Sequence, residues 1–319
     1  MILKKGVILF PLLMLATLLS AQEVPFYPIS YRLFSPAIFN PAITGSHDFS
    51  QISFITNLTR SHPGQTLNGD VRLPVSNKQK RPEPDALVFS NFGVGGYFFH
   101  EAINSYNYSG LAVSGSYHIP ITRDHLSFFS VGITGKGIYS VGRPGTDQGD
   151  TTKNNVFKPD MDLGVYFYSA HFFAGVSATS LFSNPNSSSF PSQLTGILSR
   201  QFFLNTGYKI VLSNRRSLVL EPSLMMDFGN SFSDTASLHY HPALTLYYKH
   251  SSIGFYLNDP DDLSFFLHVQ TPWFYVGSYV EYPWNMDIPW KNSKLTIELL
   301  VGITIGKKTT ASHYFKYWE

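Results

Sequence analysis

A few groups of residues in this 319-residue chain have the types and spacing to do chemistry. His239 and His241 lie two apart, which in an extended segment puts both imidazoles on one face, where they could seat a metal ion. No third ligand stands near them in sequence, and polar residues on the wet face of a strand need no metal. Asp259, Asp261 and Asp262 offer oxygen ligands of the kind calcium takes. Their spacing departs from the EF-hand loop and reads as a solvated turn. Gly93 to Gly96 is glycine-rich, but it lies inside an extended pattern and lacks the Lys-Ser/Thr of a phosphate loop. No Gly-x-Ser-x-Gly element or other nucleophile arrangement is present. The expectation is therefore a non-enzyme with no catalytic residues, no cofactor and no metal. One element stands out: Asn40, Pro41, Ala42 and Gly45. Pro41 fixes its own φ and Gly45 permits a tight turn. This suits a compact plug or latch at the base of a larger structure, or a plain turn leading into the first strand.

Composition narrows what the larger structure is. Charged residues make up 14% of the chain and aromatics 16%, against about 25% charged in an ordinary globular protein. Disordered chains are charge-rich and aromatic-poor, so disorder is excluded. With no Cys there is no disulfide framework and no thiolate metal site. The 23 Lys and Arg nearly balance the 21 Asp and Glu, which argues against a nucleic-acid partner. Few charges and many aromatics in a long chain imply a wall that faces something other than water.

The first 21 residues have the three parts of a secretory signal. Lys4 and Lys5 form the basic region, Val7 to Leu19 the apolar region, and Ala21 the small residue before the expected cut. The apolar run is shorter than the roughly 20 residues a helical span needs. With no Cys after it, lipoprotein anchoring is excluded. Without Lys4 and Lys5 the basic residues number 21, equal to the acidic ones.

Downstream, no run reaches the length of a helical span; period-2 alternation is widespread instead. Phe202, Leu204, Tyr208, Ile210 and Leu212 oppose Gln201, Asn205, Gly207 and Lys209. Leu238, Tyr240, Leu244, Leu246 and Tyr248 oppose His239, His241 and Thr245. Leu295 to Ile305 repeats the pattern, with Thr296, Glu298, Gly302 and Thr304 on the polar side. About 14 such segments of roughly 10 residues follow one another, the length at which a tilted strand crosses a bilayer. In lipid only a closed barrel leaves no strand edge unpaired. The fold expected is all-β: a transmembrane antiparallel β-barrel over residues 48–319, preceded by the signal (1–21) and an N-terminal segment (22–47). A soluble β-sandwich or exported carrier barrel is the alternative; it alternates too, but usually with more surface charge. Aromatic clusters at Trp273-Phe274-Tyr275, Tyr282-Pro283-Trp284 and Tyr247-Tyr248 are expected at the headgroup girdles.

A family resemblance joins these observations. Phe39-Asn40-Pro41-Ala42-Ile43-Thr44-Gly45 follows shortly after the expected mature N-terminus. Phe92-Gly93-Val94-Gly95-Gly96-Tyr97, Pro159-Asp160-Met161-Asp162-Leu163-Gly164, Gly207-Tyr208 and Leu220-Glu221-Pro222-Ser223 come after it in order. Together they resemble the PorP/SprF family of type IX secretion outer-membrane proteins across nearly the whole mature chain. The chain departs from many members at Ser35, where they carry Asn, and over Thr56-Asn57-Leu58-Thr59-Arg60. The resemblance implies a bacterial outer-membrane barrel similar to fatty-acid-transporter-like barrels. It also implies a role in exporting or attaching surface proteins in gliding or adhesion. The partners it implies are other secretion components (a periplasmic ring or lipoproteins), C-terminal domains of secreted substrates, and membrane lipids. A transporter of small hydrophobic molecules is the other function such a barrel could serve.

Overall fold

The computed structural model describes residues 33–47, 49–58, 63–74, 89–103, 106–122, 127–142, 155–183, 200–229, 238–259, 262–271, 273–283 and 296–305. The expected signal therefore lies outside the described residues. The strands are β1 (Ser50–Asn57), β2 (Gly64–Pro74), β3 (Phe89–Ile103), β4 (Tyr106–Thr122), β5 (Ser127–Gly142), β6 (Val156–Tyr168), β7 (Phe172–Thr179) and β8 (Gln201–Tyr208). They continue with β9 (Ile210–Ser213), β10 (Leu218–Asp227), β11 (His239–Tyr248), β12 (Ser251–Asp259), β13 (Asp262–Gln270), β14 (Phe274–Pro283) and β15 (Thr296–Ile305).

Each strand pairs antiparallel with its sequence neighbours, and β1 pairs with β15 from Ser50↔Ile305 to Asn57↔Glu298. β8 and β9 both pair with β10 and are two lengths of one strand broken at Lys209. The same register sets Pro222 opposite Tyr208, just before the break, and Pro222 has no N–H to give the ladder. The β10–β11 ladder completes the circle, giving a closed barrel of 14 strands. Closure is the physical requirement for a sheet in hydrocarbon, since every backbone donor must find a neighbour.

An even strand number brings the start of β1 and the end of β15 to one end. The turns there are mostly short, such as 169–171, 249–250 and 271–273, with 75–88 between β2 and β3 as the exception. At the other end run four long connections, 143–155, 180–200, 228–238 and 284–295. In outer-membrane barrels the short turns are periplasmic and the long loops extracellular, so the start of β1 and the end of β15 lie on the periplasmic side.

Side chains follow the expected parity. Leu111, Val113, Ile133, Ile253, Phe255, Val301 and Ile303 point outward and are exposed, while Ser114, Ser130, Thr134, His241, Thr245 and Glu298 point inward and are buried. The outward face meets lipid, which is why its exposure carries no penalty. One expectation needed adjustment. Trp273, Phe274 and Tyr248 are exposed at the periplasmic end as a girdle would be, but Tyr275 points inward and is buried. Strict alternation requires this: Phe274 and Tyr275 are neighbours on one strand and cannot both face lipid. In strand β6 the polar residues Lys158, Asp160 and Asp162 face the lumen beside β5.

Candidate functional site: the segment held inside the barrel

Residues 33–47 precede β1 and run through the lumen. Pro36–Ile38 and Pro41–Ile43 each form one turn of 3-10 helix. The second is set up locally: Pro41 takes the first helical position, where its missing N–H costs nothing. The Asn40 side chain caps the turn, accepting from the Ala42 N–H at 3.0 Å. Gly45 follows at φ 66°, a left-handed conformation that favours glycine.

Apolar side chains of this segment fill the barrel's middle. Ile38 and Phe39 are buried in one cluster with Ile55, Tyr97, Ala112, Phe203, Met225, Tyr275 and Leu300, which come from strands all round the wall. The Phe39 and Phe203 rings meet edge-on at 5.3 Å. Phe34 packs on the opposite side, edge-on to Phe266 at 6.2 Å. Ala42 and Thr44 have no exposed surface.

Hydrogen bonds then tie the motif to the wall. Asn40 Nδ2 donates to the Val165 carbonyl at 3.1 Å. Ser130 Oγ donates to the Ala42 carbonyl at 2.7 Å, and Ser116 Oγ to the Thr44 carbonyl at 2.6 Å. The Gly45 N–H donates to Asp70 Oδ2 at 2.8 Å. His118 Nε2 lies 2.9 Å from the same Thr44 carbonyl, which can only accept, so Nε2 carries the proton. That leaves Nδ1 to accept from the Tyr168 hydroxyl at 3.1 Å, while Arg72 Nη1 donates to Tyr168 at 3.3 Å. A chain from Arg72 to Thr44 thus fixes His118 as one neutral tautomer.

The wall is cut away where the segment touches it. A Cβ built at Gly132 would come within 3.0 Å of the Pro41 and Ala42 backbone. One at Gly93 would meet the Thr44 carbonyl, and one at Gly164 the Asn40 side chain, as closely. Gly93 and Gly164 belong to two of the glycine-bearing motifs noted in the sequence. The four residues singled out there, Asn40, Pro41, Ala42 and Gly45, are brought together in this one place, against β2 to β6.

Nearer the extracellular end, a second polar cluster closes over β6. Lys136 Nζ and Asp162 Oδ1 are 2.7 Å apart and buried. Lys158 pairs with Asp160 and bonds Ser183. Asp160 also accepts from the Phe182 N–H at 3.0 Å and Ser183 Oγ at 2.5 Å, folding the start of the β7–β8 connection inward. Residues Arg72, Ser116, His118, Ser130, Lys136 and Tyr168 were not singled out from sequence. Their only signal is that each is a polar or aromatic residue at an inward strand position.

Among the described residues the remaining sequence candidates are not gathered into one place. The His239 and His241 rings stack at 6.5 Å, facing the lumen, and among the described residues no three His, Cys, Asp or Glu gather as a metal site. Asp259 and Asp262 pair across the β12–β13 hairpin, and Asp261 lies outside the described residues. Two lumen cavities flank the segment. One of about 210 Å3 is lined by Phe39, Asn205, Lys209, Glu221, His241 and Tyr256. The other, of about 170 Å3, is lined by Phe34, His47, Phe266, His268 and Tyr275.

A family model described as type IX secretion system membrane protein PorP/SprF matches residues 20–303. No curated protein matches the chain. Among solved structures, BamA from Haemophilus ducreyi lacking POTRA domains 1-3 is similar at 11% identity and a TM-score of 0.40, over 80% of this chain and 70% of that one. A NanC porin is similar at 7% identity and a TM-score of 0.39, over 80% and 98%. CdiB from Acinetobacter baumannii is similar at 7% identity and a TM-score of 0.37, over 81% and 60%. The barrel assignment rests on the closed strand ladder described above.

Proposed function

The chain belongs to the PorP/SprF family of type IX secretion system membrane proteins, and from that premise we propose that this outer-membrane barrel is a docking component for protein export. In this reading it acts without catalysis and without a cofactor. It holds a secreted substrate's C-terminal domain, or a periplasmic part of the same machine, at one of its mouths. Residues 1–21 serve as the cleaved export signal, and Asn40, Pro41, Ala42 and Gly45 serve as the latch that keeps the lumen shut.

One observation carries the reading: the lumen is crossed by the chain's own N-terminal segment, anchored on a wall of glycines and hydrogen-bond donors. A blocked cylinder is poorly suited to conducting solutes and well suited to presenting a rigid rim. The test is deletion of the gene with surface-protein export measured by cell-surface proteomics. Loss of a defined set of surface proteins is expected, and export at the undeleted level overturns the reading. A second reading, transport of small hydrophobic molecules, is favoured by the 210 Å3 cavity beside the segment, where Phe39 and Tyr256 line a partly apolar wall. Uptake of a radiolabelled fatty acid that falls on deletion, with export intact, would select it instead.

A further inference from the structure

Part of the periplasmic rim carries charge of one sign. Between β6 and β14 its turns are 169–171, 214–217, 249–250 and 271–273. They hold His171, Arg215, Arg216, Lys249 and His250, and no Asp or Glu. Acidic residues such as Asp227, Asp259 and Asp262 stand at the opposite ends of these strands. Arg215, Arg216 and Lys249 are exposed, and among the described residues no carboxylate pairs with them.

Backbone bonds tie the turns into one edge. The Lys209 N–H donates to the His171 carbonyl at 2.6 Å, the Lys249 N–H to the Ser217 carbonyl at 3.0 Å, and the Gln270 N–H to the His250 carbonyl at 2.7 Å. The second of these bonds sets Arg216 and Lys249 on neighbouring hairpins, where two long side chains can converge on one anion. Lys249 also holds an uncommon conformation. It is the first residue of the two-residue loop between Tyr248 and Ser251, at φ 52°. Glycine takes that left-handed geometry with less strain, yet the position carries a cation.

The height of these cations follows from their outward neighbours. Leu212 and Tyr248 are exposed at the last lipid-facing positions of β9 and β11. Arg215 lies three residues beyond Leu212, and Lys249 one beyond Tyr248. At about 3.3 Å per residue, the cations stand within about 10 Å of the edge of the apolar band. The headgroup layer there is roughly 5–8 Å thick, so they lie in it or just beneath it. The Lys249 ammonium sits 5.4 Å over the outward Tyr248 ring, which draws it to the lipid side. His171 stacks on the outward Tyr208 in the same way, at 6.1 Å. An acidic protein beneath the rim would meet the arginines and leave Lys249 turned away from it. A lipid phosphate beside the wall is within reach of all three.

We propose that the periplasmic edge of β9 to β12 is a binding site for the headgroup of an anionic phospholipid, held by Arg215, Arg216 and Lys249. The guanidinium forks match a phosphate in two-point geometry. The Lys249 ammonium adds a point charge, and the Tyr248 ring packs against the glycerol region, as aromatic residues do at this depth. The left-handed loop keeps the lysine at the mouth of the site.

The proposal goes beyond the export reading, and its test uses no secretion component. The full chain in mild detergent is titrated with phosphatidylglycerol or with phosphatidylcholine of the same acyl chains, and bound lipid is counted by native mass spectrometry. At about fivefold for each cation near the surface, phosphatidylglycerol is expected to bind about 100-fold more tightly. Arg215→Gln with Arg216→Gln is expected to remove about 25-fold of that preference and to leave phosphatidylcholine unchanged. Lys249→Gly should remove about fivefold while the barrel's thermal unfolding is no earlier, because glycine suits φ 52°. Arg200→Gln, which removes an exposed cation at the extracellular end, should change nothing. Equal binding of the two lipids overturns the proposal and gives the rim to an acidic protein surface. A preference that survives the rim substitutions, or that Arg200→Gln weakens equally, overturns it as attraction by net charge without a site. Each of these results leaves the export reading to be judged by deletion.

Discussion

Gly132→Ala separates the barrel from its lumen segment. The added methyl would lie within 3.0 Å of the Pro41 and Ala42 backbone, and backbone cannot swing aside as a side-chain end can. Ordinary carbon contacts begin near 3.5 Å, so the segment must retreat by about 1 Å. That retreat stretches the 2.7 Å Ser130–Ala42 bond and the 3.1 Å Asn40–Val165 bond beyond hydrogen-bond range. At ~1 kcal/mol per bond, with ~1 kcal/mol of residual overpacking, the seated state loses about 3 kcal/mol. The displaced population then rises by about 100-fold. The barrel ladder itself is untouched, because a strand accepts alanine. Gly135, three residues along the same strand, is the control: a Cβ there meets nothing within 4 Å. The assay uses Ile38→Cys, buried at 7% exposure in a chain with no native thiol. Labelling by a membrane-impermeant maleimide should speed up by about tenfold or more in the Gly132→Ala background and stay unchanged with Gly135→Ala. Planar-bilayer conductance should rise only in the first. Equal labelling and equal conductance in the two backgrounds would refute the claim that glycine clearance seats the segment.

Other substitutions probe the same interior. His118→Ala removes the ring that joins Thr44 to Tyr168 and should loosen the segment by about 2 kcal/mol; Ile38→Cys labelling should accelerate while the unfolded barrel's refolding yield stays constant. Lys136→Met leaves Asp162 buried without its ammonium and should cost about 3–5 kcal/mol in urea unfolding from lipid vesicles. Adding Asp162→Asn should recover most of that loss, and failure to recover would show that the pair is not the coupling. Asn40→Ala removes both the cap on the 3-10 turn and the bond to Val165, and should expose the segment to protease in intact outer membranes, with the barrel band unchanged.

The amino-acid order determined the class of the molecule because strand parity is local. Each residue's side is set by its immediate neighbours, so Leu299, Val301 and Ile303 read as outward, and Glu298 and Thr304 as inward, before any pairing is known. Fourteen such stretches, no helical span and few charges leave little but a membrane cylinder. The compact turn at Asn40–Gly45 was also legible, since proline and glycine act on their own backbone. Tertiary structure alone decided what that turn touches. Asn40 and Val165 are 125 residues apart, and Thr44 and His118 are 74 apart; no spacing rule connects them, because distant strands meet across a lumen only after the ring closes. For the same reason the place of Gly132 and Gly164 as clearance and the ion pair of Lys136 with Asp162 appear only in three dimensions. A one-dimensional pattern fixes which way a side chain points, and closure of the sheet fixes what stands opposite it.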